Sequence, residues 1–120
     1  ILELAGAGMP PALIYRSATE NIESAPLKGL PLGSFADFKY SKINVKLNKD
    51  DVVALMSDGL PELFNSKYEM LGYEQVTTLF SEVINESPEK IIKHFTSSAS
   101  KWLNGNKQQD DMTFIVFKIK

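Results

Sequence analysis

The stretch Val52-Val53-Ala54-Leu55-Met56-Ser57-Asp58-Gly59 decides how the chain folds. Five consecutive apolar residues opening on two β-branched valines read as a buried strand, and the Asp-Gly pair behind them reads as a break where backbone torsions become permissive. A carboxylate delivered to the rim of a rigid sheet is well placed to hold something, so Asp58 is the first candidate for chemistry. The other strongly apolar run, Met112 to Ile119, is also a strand and is preceded by Asp110-Asp111. If the two strands are neighbours in one sheet, the three acids meet at one edge.

Working outward, Ile1 to Ala5 alternates like a strand, and Ala12 to Arg16 reads as its partner, separated from it by Gly6-Ala7-Gly8-Met9-Pro10-Pro11. This predicts a hairpin with a long loop. The Gly6-x-Gly8 pair can also be read as a phosphate cradle, but a dinucleotide fingerprint needs a third glycine opening a helix, and two prolines follow here. Residues 17–37 read as a long connection with room for one short strand. From Phe38 alternation returns through Tyr40, Ile43, Val45 and Leu47, with a shift that predicts a bulge between Tyr40 and Ile43. Asn48-Lys49-Asp50-Asp51 supplies turn chemistry, so this strand and 52–57 are expected to form an antiparallel hairpin.

Beyond Gly59, Leu60 to Asn65 can make a short helical turn with Pro61 near its start. Tyr73, Val76, Leu79, Phe80, Val83 and Ile84 recur at helical spacing, which predicts an amphipathic helix over 73–85. Ser87-Pro88-Glu89 is an N-cap, an N1 proline and a first-turn acid. Ile91, Ile92, Phe95, Ala99, Trp102 and Leu103 form the apolar face of the helix that follows, and Asn104-Gly105-Asn106 is its stop. The order of four strands, two helices and a strand predicts an α+β fold, an antiparallel sheet flanked by helices, with no internal boundary over 1–120.

Composition narrows the function. A 43% hydrophobic and 23% charged chain of 120 residues is an ordinary globular domain, and a formal net charge of −2 offers no basic field for nucleic acid or an anionic membrane. The absence of cysteine removes disulfides, zinc knuckles and thiol nucleophiles. A cytoplasmic setting without membrane contact is the expectation. The chain opens on Ile1 rather than methionine and alternates at once, so residue 1 reads as the interior of a longer protein.

The single histidine, His94, lies beside Phe95 with neither His-x-x-x-His nor Glu-x-x-His spacing, and reads as a helix-surface residue. No Gly-x-Ser-x-Gly elbow accompanies the serines. Carboxylates remain. Asp58 with Asp110 and Asp111 suits a hard cation such as Mg²⁺ or Mn²⁺. From spacing alone the commoner reading of the same residues is an Asp-Gly turn and an acidic gatekeeper ahead of an apolar strand, since sheet-edge acids are usually solvated. Glu3, Asp37 and Asp51 sit in strand or turn contexts where solvation is the expectation.

Four stretches in order then carry a resemblance: Ala7-Gly8-Met9-Pro10-Pro11, Gly29-Leu30-Pro31-Leu32-Gly33, Ser57-Asp58-Gly59-Leu60 with Glu62, and Gln109-Asp110-Asp111-Met112-Thr113. Together they resemble the C-terminal half of the protein phosphatase 2C superfamily. The branch is the bacterial one typified by stage II sporulation protein E and the stress-response phosphatases of the sigma-B pathway. The resemblance implies the C-terminal portion of that family's α-β-β-α sandwich, a single partial domain over 1–120. It implies that Asp58 and Asp110 are catalytic as metal ligands, with Gly59 as the small residue beside the ligand and Asp111 in a supporting role. Many members have histidine where Met9 stands, which falls outside the metal cluster.

For the intact parent, the resemblance implies a metal-dependent serine/threonine phosphatase in bacterial signal transduction. Two Mn²⁺ or Mg²⁺ ions would share and acidify a water that attacks phosphorus in line. The implied partners are a phosphoprotein, with an anti-sigma-factor antagonist the candidate, and an upstream sensor or regulatory domain. The bridging acids of the family's N-terminal half have no match here, so the binuclear site is expected to be incomplete and the fragment inactive. The competing reading is a catalytically inactive phosphatase-like module that binds protein. A third, an unrelated α+β domain, predicts that Asp58 and Asp110 lie far apart.

Overall fold

The computed structural model describes residues 1–120. Its elements are β1 (Leu2–Ala5), β2 (Ala12–Arg16), β3 (Asn21–Ala25), β4 (Lys42–Val45), β5 (Val52–Met56), α1 (Tyr73–Ser81), α2 (Pro88–Leu103) and β6 (Phe114–Lys118). They form the α+β arrangement expected: a four-stranded antiparallel sheet in the order β3-β2-β5-β6, a separate antiparallel pair β1-β4, and two helices. No helix is long and apolar enough to cross a membrane.

The apolar run is the centre of the larger sheet. Val52, Ala54 and Met56 join Leu13 of β2 in a core with Val76, Leu79 and Phe80 of α1 and Ile91, Phe95 and Ala99 of α2. On the opposite face Ile14 pairs with Val53, and both are buried. A strand closed on both faces has no use for alternation, which is why β5 reads as an unbroken apolar run. Phe80, Phe95 and Phe114 then tie α1, α2 and β6 together, with ring centroids 6.2 and 5.4 Å apart in sequence order.

The second helix starts where its cap predicts. Ser87 Oγ accepts from Lys90 N–H, Pro88 occupies the first turn, and Asn104 ends the helix in the left-handed conformation. Ser87→Ala is expected to cost about 1 kcal/mol, checked by the urea midpoint. The first helix is regular only to Ser81. Turns carry the chain to Glu86 while Val83 and Ile84 keep packing on the core.

Strand pairing departs from expectation in two places. The β1-β2 hairpin does not form: β1 pairs with β4, and β2 is flanked by β3 and β5. The loop between them is held instead by Gly8 N–H donating to Gly29 O at 2.9 Å, and a Cβ on Gly29 would lie 1.9 Å from Gly6 O. That close packing makes Gly6-x-Gly8 a turn whose amide is already used. The β4-β5 hairpin does not form either, because the Asn48–Asp51 turn carries the chain from one sheet to the other. No bulge separates Tyr40 from Ile43; the strand simply begins at Lys42, and Tyr40 donates its hydroxyl to Leu30 O.

Asp51 corrects a third expectation. It is fully buried rather than solvated. Its carboxylate accepts from Asn48 N–H (3.0 Å), Ser17 N–H (3.0 Å), Ser17 Oγ (3.2 Å) and Arg16 Nη1 (3.1 Å). It thereby joins the end of β2 to the turn that launches β5.

Candidate active site

The two strands that carry candidate acids are neighbours. In the β5-β6 register Met56 opposes Phe114, and the ladder continues one step further as Ser57 N–H donates to Thr113 O at 3.0 Å. Asp58 leaves β5 where Asp110-Asp111 enter β6. Asp58 and Asp110 line one concavity of about 530 Å³, together with Gly59, Glu62, Phe64, Met70 and Gln109. The third reading, which required these acids to be far apart, is therefore excluded.

Three local devices bring the segments together. Ser57 Oγ accepts from Thr113 N–H (2.9 Å) and donates to Asp111 O (3.3 Å), so the hydroxyl continues the ladder past the last backbone bond. Gly59 permits close approach, since a Cβ there would stand 2.1 Å from Asp111 O. Gly59→Ala is accordingly expected to push the two segments apart at a cost of about 1–3 kcal/mol, checked by urea unfolding. Gln109 contacts Phe64 across the concavity, with Phe64 N–H donating to its Oε1 at 3.1 Å.

The acids differ in setting. Asp58 is half-buried at the strand rim, and its carbonyl accepts from Glu62 N–H at 3.0 Å, closing the turn behind it. Asp110 is exposed, and its Oδ1 accepts from Asp111 N–H at 2.8 Å. The Asp111 side chain is exposed and does not line the concavity; its backbone shapes the surroundings of Asp110 and Gly59. Burial pushes the Tyr73 phenol up, and the charges of Glu62 and Asp58 push it further, so the negative field of this edge reaches the start of α1.

Oxygen donors of this type fit part of a hard-cation site. Nowhere in the chain do three or more His, Asp or Glu side chains converge in a metal-binding group, and Glu62 lines the concavity without completing one. His94 behaves as a helix-surface residue with one partner, its Nε2 lying 2.8 Å from Glu82 Oε2 between α2 and the end of α1. Sequence reasoning did not single out Ser57 or Gln109 as individual residues. Both act through backbone groups of segments distant in sequence, which no local pattern reveals.

Known proteins share this chain's sequence pattern and its fold. Phosphoserine phosphatase RsbU of Bacillus subtilis (strain 168) is 29% identical over 116 residues, covering 97% of this chain and 34% of that protein. The SiaA-PP2C domain of Pseudomonas aeruginosa superposes with a TM-score of 0.78 at 19% identity, covering 98% of this chain and 46% of that one. A structure of the PP2C phosphatase domain with a fragment of the regulatory domain of SpoIIE from Bacillus subtilis gives 0.77 at 20% identity, covering 98% and 33%. The fold is therefore that of PP2C phosphatase domains, and the chain spans about a third of the curated relative it matches. The model of the family described as Stage II sporulation protein E (SpoIIE) matches residues 1–120. With that match over its whole length, the chain belongs to the stage II sporulation protein E family.

Proposed function

We propose that this chain is the C-terminal part of the catalytic domain of a metal-dependent protein serine/threonine phosphatase, with Asp58 and Asp110 as ligands of Mn²⁺ or Mg²⁺. The observation that carries the reading is that these two acids, from segments far apart in sequence, line one concavity at the β5-β6 edge. Divalent cations bound there would neutralise phosphoryl charge and supply an activated water. The chain's own part is to hold two carboxylates at a fixed sheet edge and to leave an open face toward a phosphorylated side chain. Nothing here offers a thiol or a histidine nucleophile in that concavity, in keeping with direct attack by water.

The substrate is a phosphoprotein, and the kinship with a phosphoserine phosphatase favours phosphoserine, with an anti-sigma-factor antagonist as the candidate. An upstream sensor or regulatory domain and a cytoplasmic setting complete the proposal. Two carboxylates are fewer than a binuclear site needs, so the 120 residues alone are expected to bind Mn²⁺ weakly and to lack activity. The test is Mn²⁺-dependent hydrolysis of p-nitrophenyl phosphate by the full-length protein and by Asp58→Ala. Unchanged turnover in the variant would overturn the assignment, and robust hydrolysis by the 120-residue chain would show that the site is misread.

A further inference from the structure

The concavity poses a mechanical problem. Asp58 and Asp110 face a common space with like charge, and no hydrogen bond joins one side chain to the other. Ser57 and Gly59 secure the strand side of the opening. The far side is the turn after Asp58, where Phe64 and Met70 form a single antiparallel bridge. The bonds flanking that bridge are Asn65 N–H to Glu69 O (3.1 Å) and Leu71 N–H to Leu63 O (2.9 Å). Phe64 is thus in the non-hydrogen-bonded position, with its own N–H and C=O turned away from Met70.

Both of those groups are met by one side chain. Phe64 N–H donates to Gln109 Oε1 at 3.1 Å, and Gln109 Nε2 donates to Phe64 O at 3.4 Å. Nε2 also donates to Lys107 O, which stiffens the loop that carries Asp110. The amide stands in for a neighbouring strand, and only Gln or Asn offers a donor and an acceptor in that planar arrangement. The turn it grips is anchored in its own right, because Trp102 Nε1 of α2 donates to Leu63 O at 3.0 Å.

We propose that Gln109 is a positioning residue that sets the separation of Asp58 and Asp110 by clamping the Asp110 loop to the Phe64 backbone. The inference rests on the cation-binding reading of the two acids. Its test compares Gln109→Met, which keeps the volume and removes all three side-chain hydrogen bonds, with Gln109→Asn and with Asp58→Ala, all in the full-length protein. Mn²⁺ binding is read directly by electron paramagnetic resonance, and hydrolysis is titrated with Mn²⁺.

Gln109→Met is expected to weaken Mn²⁺ binding about 10-fold, while kcat at saturating Mn²⁺ stays within about threefold of wild type. Gln109→Asn, one methylene shorter, is expected to fall between them and serves if the methionine variant does not fold. Faster amide exchange at Phe64 in either variant is the accompanying signature. Mn²⁺ affinity within twofold of wild type, or an unchanged Phe64 amide, would overturn the proposal. Should Asp58→Ala also bind Mn²⁺ as wild type does, the cation site itself is refuted; if only the Gln109 variants are normal, the clamp alone fails.

Discussion

Asp58→Ala in the full-length protein is expected to lower Mn²⁺-dependent hydrolysis of p-nitrophenyl phosphate by at least about 100-fold, since even residues that only orient a ligand cost 10–100-fold when removed. The substitution deletes the carboxylate and little else. The Asp58 carbonyl still accepts from Glu62 N–H, and Ser57 still bridges Thr113 N–H and Asp111 O. Folding should therefore be retained, and the urea midpoint should move by less than about 1 kcal/mol in stability. Asp110→Ala is expected to match it, and the double variant should be little worse than either single, because residues that act as a unit are not additive. Asp111→Ala is the internal control. Its side chain lies outside the concavity, so a loss below about 10-fold is expected. The competing reading, an inactive phosphatase-like module, predicts no Mn²⁺-dependent turnover in the wild-type protein at all.

Asp51→Ala is expected to have the largest effect on stability, about 2–3 kcal/mol, measured by urea unfolding of the full-length protein. Removing the carboxylate takes the acceptor from the N–H groups of Asn48 and Ser17 at a part-buried site and one partner from Arg16, which keeps Glu23 Oε2 at 2.8 Å and Lys46 O at 2.7 Å. A solvated surface acid would change stability by no more than about 0.5 kcal/mol, and a result of that size would restore the solvated reading.

The pH dependence provides a second check. Burial pushes the Asp51 carboxyl up, but the N–H donors of Asn48 and Ser17, the Arg16 guanidinium and the Ser17 hydroxyl outweigh it and hold it below the ordinary range. A carboxyl depressed in the folded state stabilises fully above its unfolded value of about 3.9 and loses that contribution as pH falls through the folded value. Wild-type stability should therefore fall on acidification below about pH 4, and Asp51→Ala should lack that component.

What was legible in the chain follows its local physics. The apolar run of β5, the Ser87-Pro88-Glu89 start of α2 and its Asn104 stop are decided by neighbours within a few residues, and each lies where it reads. β3 was hard to see because it is an edge strand with only Ile22 and Ala25 half-buried, so it carries no alternating apolar face. Asp51 misread because a turn acid looks the same whether water or a distant arginine and backbone N–H groups receive it. At the candidate site, Asp58 and Asp110 were marked by their places at the ends of apolar strands, while Gln109 and Ser57 act on backbone groups that sequence patterns do not display.

The sequence by itself determined the elements other than β3, the α+β class, the caps of α2 and the two acids at strand ends, because periodicity, turn chemistry and capping act over a few residues. Tertiary structure alone decided which strands pair. Alternation marks a face but not a partner, and the choice of β4 for β1 and of β3 and β5 for β2 depends on contacts between distant segments. It also decided that Asp58 and Asp110 share one concavity, that Asp51 is buried, and that a glutamine side chain completes the pairing of Phe64. Each of these brings together groups from distant parts of the chain, and only the packed fold can place them.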